Sequence, residues 1–270
     1  MRVLYPENPL NSKEADEPYQ AEYVALQAAG IACSLFDLDA LAYGEFRAQP
    51  RIETGEQVLY RGWMMNPARY EKWVAAVCDR AASPITSTAH YLQCHHLPGW
   101  YHTCADLTME THFFEMPFEA QALRQAEALG WGSFFVKDFV KSNTAQMGSI
   151  ARSPQEIVEI LEHLAEYRGE IEGGVALRKV EQYEPRSEQR YFVMNDKSYG
   201  PAGIVPEIVK TVASRVSAPF YSVDIATTVE GTLQVVELGD GQVSDKKNWP
   251  LDRFVDMLIE NASASASSKV

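Results

Sequence analysis

No stretch of this 270-residue chain approaches the roughly 20 consecutive apolar residues that a bilayer-spanning helix requires. Its start, Met1-Arg2-Val3-Leu4-Tyr5-Pro6, meets Glu7-Asn8 before a leader-type apolar segment forms. Cysteine is scarce: Cys33, Cys78, Cys94 and Cys104 show no paired spacing, which removes a disulfide framework and predicts reduced thiols. The expectation is a soluble cytoplasmic protein. Positive charge is also short, with 24 Lys and Arg against 37 Asp and Glu and a net charge of −13. Such a balance repels phosphate backbones and anionic membranes, so general nucleic-acid binding and membrane binding are not expected. A nucleotide is still admissible, because one pocket with a few cations and metal-holding carboxylates reverses the local field.

Several motifs are missing as well. There is neither a Walker A sequence nor a G-x-G-x-x-G, so P-loop and Rossmann readings fail, and no nucleophile elbow marks a serine hydrolase. Internal repeats are absent.

What is present is enough hydrophobic sequence, 46% of residues, to bury a full core. Strand, helix and strand follow one another over Arg2 to Tyr5, Pro18 to Ala29 and Ile31 to Leu35, the alternation that builds an open α/β sheet. Val58-Leu59-Tyr60 reads as a further strand, and Asn66-Pro67 as an N-cap with proline at the first helical position of a helix reaching about Ala81. These elements make an N-terminal α/β lobe of residues 1–85. Residues 86–130 are aromatic and histidine-rich with a helix near their end, and read as a connector lining a cleft. A third region, 131–261, opens with the strand Ser133 to Lys137. A polar loop from Lys141 to Ser149 follows, then a helix started by the capping box Ser153-Pro154-Gln155-Glu156. Strands at Val175 to Val180 and Gln189 to Val193 come next, then a hairpin pairing Phe220 to Ala226 with Leu233 to Leu238 through Glu230-Gly231, and a last helix from about Pro250 to Glu260. Residues 262–270 read as a frayed Ser/Ala-rich tail.

The hairpin holds the densest chemistry. Asp224 and Glu237 interrupt apolar strands, and on paired strands they can share a divalent cation with Asp240; alternatively they line the solvent face of an amphipathic hairpin. Lys137 ends an apolar strand, where a cation suits an anionic ligand. Glu188 and Arg190 alternate on one strand, and arginine suits bidentate phosphate or carboxylate recognition. Cys94-His95-His96 with His102 and Cys104 offers zinc-type donors at no standard spacing, which leaves a zinc hydrolase as an alternative.

In order, these pieces resemble the ATP-grasp superfamily: a strand with lysine, a polar loop, a capped helix, a hinge-like strand, Glu-x-Arg, then a hairpin with Asp and Glu. The resemblance covers Ser133 to Ser244, with Arg2 to Ala81 as the lobe preceding the grasp. It implies a multi-lobed α/β ATP-grasp fold that binds ATP and Mg2+ and ligates a small-molecule or peptide carboxylate to an amine or thiol through an acyl phosphate. It assigns Lys137 and Lys141 to the phosphates and Arg178, Lys179, Val180 and Glu181 to the adenine-side hinge. Glu188 belongs to the same nucleotide side, Arg190 to phosphate or substrate, and Asp224 and Glu237 to magnesium. Two positions depart from the family pattern. Gly239 stands where the family has a metal-binding asparagine, so that Asp240 or Gln242 would substitute. Ser222 stands where several ligases have an arginine, so that Arg61 or Arg215 would substitute. These departures favour a non-catalytic nucleotide-binding or interaction protein as the competing reading. Tyr60-Arg61-Gly62-Trp63-Met64 and Glu237 to Ser244 are similar to a phage and bacterial branch of these proteins. A homodimer is the default expectation for assembly.

Overall fold

The computed structural model describes residues 1–140 and 148–267. Its first seven elements are β1 (Arg2–Asn8), β2 (Asn11–Ala15), α1 (Glu17–Ala28), β3 (Ala32–Phe36), β4 (Gln57–Tyr60), α2 (Pro67–Cys78) and β5 (Ser83–Pro84). α3 (Thr88–His95), α4 (Leu97–Cys104), β6 (Thr111–Phe114), α5 (Ala120–Ala128), β7 (Phe134–Asp138), β8 (Ile150–Ala151), α6 (Pro154–Arg168) and β9 (Val175–Lys179) follow. The chain ends through β10 (Gln189–Met194), β11 (Lys197–Tyr199), α7 (Glu207–Ala213), β12 (Phe220–Thr227), β13 (Leu233–Asp240) and α8 (Leu251–Ser267). Among the described residues no helix is long and apolar enough to cross a membrane.

The chain folds into two compact units. One comprises Met1–Leu92, Arg190–Ser222 and Gly239–Val270. In it β1 pairs in parallel with β3 on one side and β4 on the other, β5 extends β4, and β2 turns back antiparallel on Glu7 and Asn8. Side chains alternate across β1: Val3 and Tyr5 enter a core with Leu26, Phe192, Trp249 and Phe254, while Leu4 enters another with Tyr60, Tyr70 and Trp73. Both faces of this parallel sheet are therefore covered, as βαβ architecture demands. The caps read from sequence form here: Asn66 Oδ1 accepts from Arg69 N at 2.9 Å, with Pro67 opening α2.

The other unit comprises Gln93–Gln189 and Val223–Leu238. Its sheet runs β6-β9-β7-β8 with antiparallel neighbours. Phe134, Val136, Val175 and Leu177 pack one face against Ile157, Ile160 and Leu161 of α6. Ser153 Oγ caps α6 by accepting from Glu156 N at 3.2 Å, and Gly169 ends it at φ +84°, a left-handed conformation that glycine adopts without strain.

Three stretches differ from the sequence reading. The connector contains α3, α4 and β6, whose short lengths and mixed aromatic composition hide any periodicity. Leu10 turns β1 into β2, a polar hairpin without an apolar face to announce it. α8 continues through Ser267 where a frayed tail is expected, consistent with the high helix propensity of its alanines.

Candidate functional site

Strand alternation places the central cation. On β7, Phe134 and Val136 point into the helical core, so Phe135 and Lys137 point to the opposite face. Register puts Arg178 of β9 across from Phe135 and from Thr111 of β6, and Ala176 across from Lys137, so Lys137, Arg178 and Thr111 share that face. Lys137 Nζ donates to Glu237 Oε1 at 2.6 Å. The two partners differ in access: the lysine side chain is 5% exposed and the glutamate 40%. A buried cation thus meets a carboxylate that solvent and a ligand can reach.

Arg178 is fixed beside them. Its Nε donates to Thr111 Oγ1 at 3.3 Å, Nη2 to Thr108 Oγ1 at 2.8 Å and Nη1 to Val236 O at 2.7 Å. Thr108 in turn donates to Val235 O at 2.6 Å, so the threonine orients the guanidinium and ties it to β13. Burial pulls Arg178 down to about 10, against the opposing field of the Glu237 carboxylate. It stays protonated at neutral pH. Asp138, on the helical side of β7, is fully buried and accepts from Val140 N at 2.7 Å and Glu172 N at 3.3 Å, pinning the chain just before residue 141.

Asp224 on β12 is buried, and Glu237 lies on the neighbouring strand β13. Ser222 Oγ stands 3.0 Å from where a Cβ on Gly239 would lie, so those two residues face each other across the strands. Two residues further along each strand, alternation turns Asp224 and Glu237 to the same face. Two carboxylates together with phosphate oxygens are the donor set magnesium takes, so this pair fits that ion. Gly239 contributes no donor, and a side chain there would collide with Ser222 Oγ and with Ser244 Oγ at 2.9 Å. The expectation that Asp240 joins as a third ligand is not met: among the described residues no group of three or more His, Cys, Asp or Glu could hold a metal.

Asp240 belongs instead to a buried network in the first unit. Its Oδ1 accepts from Gln242 N at 3.0 Å and Gln242 Nε2 at 3.1 Å, while Oδ2 is buried without a hydrogen-bond partner. Burial pushes its carboxyl up to about 7, opposed by the Gln242 bonds and the charge of Arg61. Gln242 also accepts from Tyr60 N at 3.2 Å and donates to Tyr70 at 2.8 Å, so its amide is committed to the scaffold and is not a metal donor.

Arg61 sits in the same network and is 2% exposed. Nε and Nη2 each donate to Glu22 at 2.9 Å, and Nη1 reaches the carbonyls of Gly241, Gln242 and Ser244 at 2.7, 3.1 and 3.0 Å. Burial alone would depress its pKa, but Glu22 outweighs burial and holds it above the ordinary arginine value. Buried and bonded through all three nitrogens, Arg61 clamps the 241–244 turn, a correction to its expected catalytic role. Arg190 Nη1 donates to the Asp245 carboxylate at 2.9 Å and to Asp245 O at 3.0 Å. Arg215 is exposed just beyond α7.

The remaining expected residues are more peripheral. Lys179 ends β9 exposed, Val180 and Glu181 are half-buried after it, and Glu188 is exposed before β10. Lys141 lies outside the described residues. The zinc-type cluster does not assemble: Cys94 and Cys104 are buried, His96 bonds Glu172 at 2.9 Å, and His102 packs edge-on to Tyr101. Thr108, Thr111 and Glu22 escape sequence reasoning. For Glu22 a signal existed, an acid beside Tyr23 and Leu26 on the buried face of α1.

Residues 128–258 match the family model described as "ATP-grasp domain, R2K clade family 3". Among solved structures, D-alanyl-alanine synthetase A from Vibrio cholerae superposes with a TM-score of 0.65 at 13% identity, covering 98% of this chain and 98% of that one. The ATP-grasp ligase PsnB complexed with minimal precursor, Mg and ADP gives 0.62 at 14% identity, covering 96% of each chain. The macrocyclase MdnC bound with precursor peptide MdnA, from Microcystis aeruginosa, gives 0.61 at 12% identity, covering 96% of this chain and 100% of that one. No curated protein sequence matches significantly.

Proposed function

We propose, from the match of residues 128–258 to an ATP-grasp domain model, an ATP- and magnesium-dependent ligase that activates a carboxylate as an acyl phosphate for attack by an amine or thiol. The observation that carries this reading is the Lys137–Glu237 pair, a buried lysine tied to an accessible carboxylate with Arg178 fixed beside it.

Lys137 receives the nucleotide phosphates, and Arg178 holds β13 in place while adding positive field. Lys179, Val180 and Glu181 line the adenine side at the end of β9, with Glu188 near them. Asp224 and Glu237 would hold magnesium, which when bound would neutralise phosphate charge. A substrate carboxylate oxygen attacks the γ-phosphorus as the bond to the β-bridging oxygen breaks and ADP departs. The amine or thiol then attacks the acyl carbon, phosphate leaves, and the nucleophile loses its proton. Catalysis rests on positioning and on charge neutralisation by Lys137. No enzyme nucleophile takes part.

The carboxylate is that of an amino acid or peptide. Support comes from the named relatives, one a D-alanyl-alanine synthetase, one complexed with a minimal precursor and one bound with a precursor peptide. The net charge of −13 favours such substrates over nucleic acid. Gly239 favours the competing reading, a nucleotide binder without turnover. The deciding experiment is ADP release across a panel of acids and amines. Release that requires both co-substrates supports the ligase; nucleotide binding without release across the panel supports the competitor.

A further inference from the structure

Away from the Lys137 face, a cavity of about 700 Å3 opens in the first unit, lined by residues 46–49, Arg51, Ile52, Asp79 and Arg80. It lies along the β3 edge of the parallel sheet, where Gln49 exchanges backbone hydrogen bonds with Leu35 at 2.8 and 2.9 Å. Phe46, Ala48 and Ile52 are buried beneath it. Arg80 is part of the wall: Nη1 donates to Ala76 O at 2.7 Å, Nη2 to Phe46 O, and its guanidinium lies 4.5 Å over the Phe46 ring.

Arg47 and Arg51 differ from it. Both are exposed, and among the described residues neither has a hydrogen-bond or ion-pair partner. Two unengaged guanidiniums in one cavity run against the field of a chain that carries −13 overall. Guanidinium recognises carboxylate and phosphate bidentately. The rest of the lining decides between them. Asp79 repels a compact polyanion more than carboxylates spaced along a chain, and Gln49 offers an exposed amide to a peptide backbone. The cavity also far exceeds a single anion and is open to solvent, which suits a chain lying across it better than an engulfed small molecule.

We propose that this cavity docks an acidic segment of a partner polypeptide, with Arg47 and Arg51 receiving its carboxylates. The inference does not depend on the ligase reading, since it concerns binding alone.

The test is fluorescence anisotropy with the full chain and a labelled peptide of alternating Glu and Leu, beside Lys-Leu and Gln-Leu controls. Saturable binding of the acidic peptide only, weakened about tenfold or more by Arg47→Glu with Arg51→Glu, is expected. Binding should also weaken as salt rises, because these arginines are exposed. Should the charge reversal disturb folding, Arg47→Gln with Arg51→Gln gives the same comparison without repulsion, and a loss of binding with unchanged melting is expected. No saturable binding at low salt overturns the proposal, as does equal binding by folded variants. Pyrophosphate displacing the probe at lower concentration than unlabelled peptide would reassign the site to phosphate and also overturn it.

Discussion

Two buried cations in this protein, Arg61 and Lys137, each meet a glutamate, and the pairs differ in the exposure of the acid. Glu22 is 6% exposed and spends both oxygens on Arg61, which spends its remaining donors on three carbonyls. Glu237 is 40% exposed beside a lysine that is 5% exposed. The first is a closed clamp holding the 241–244 turn against β4; the second is open on the side of the acid. Burial of the cation therefore does not distinguish the two pairs, whereas access to its counter-ion does.

Removing one partner of the closed clamp should have the largest effect. Arg61→Met or Glu22→Gln leaves a buried polar or charged group uncompensated and is expected to lower unfolding free energy by about 3–5 kcal/mol in urea titration. A loss below about 1 kcal/mol would erase the contrast between the pairs.

Asp240 comes next. Its folded value, about 7, lies above an unfolded value of about 3.9, so the native state holds the proton more tightly than the unfolded chain. Its contribution is favourable at low pH, falls as pH rises from about 4 to about 7, and levels off above that. Asp240→Asn should stabilise by about 2 kcal/mol at pH 8 and flatten the stability profile across that window. A profile unchanged by the substitution would remove the buried acid from the account.

Gly239→Ala sharpens the comparison at the hairpin, since its Cβ would meet Ser244 Oγ at 2.9 Å and Ser222 Oγ at 3.0 Å. A loss of about 1 kcal/mol is expected in the same titration, relieved by Ser244→Ala, which removes the nearer hydroxyl. The smallest effect on stability is expected at the open pair. Glu237 reaches water, so Lys137→Met leaves a solvated acid rather than a buried charge and should cost less than about 1 kcal/mol in the same titration.

Much of the fold is legible in local signals: the αβ alternation, the Asn66 and Ser153 caps, and the final hairpin all leave periodic or capping marks. The candidate site is legible where a charged residue interrupts an apolar strand, as Lys137, Asp224 and Glu237 do. Arg178 shows in sequence as a hinge residue, but its anchoring on Thr108 and Thr111 depends on β6, whose four residues carry no period. Arg61 misleads for a related reason: the partner that closes it, Glu22, is 39 residues away, and no local pattern records that meeting. Long-range partners decide whether a charge is scaffold or site, and a single sequence lists charges without partners.

The central claim, that the Lys137–Glu237 pair is a nucleotide site and the Arg61–Glu22 pair is scaffold, is tested most directly by a thermal-shift titration of the wild type and Lys137→Met with ATP, with and without magnesium. The account predicts a shift in the wild type that magnesium enlarges, and its loss in a variant whose unliganded melting is close to the wild type's. No shift in the wild type, or an equal shift in Lys137→Met, would contradict it.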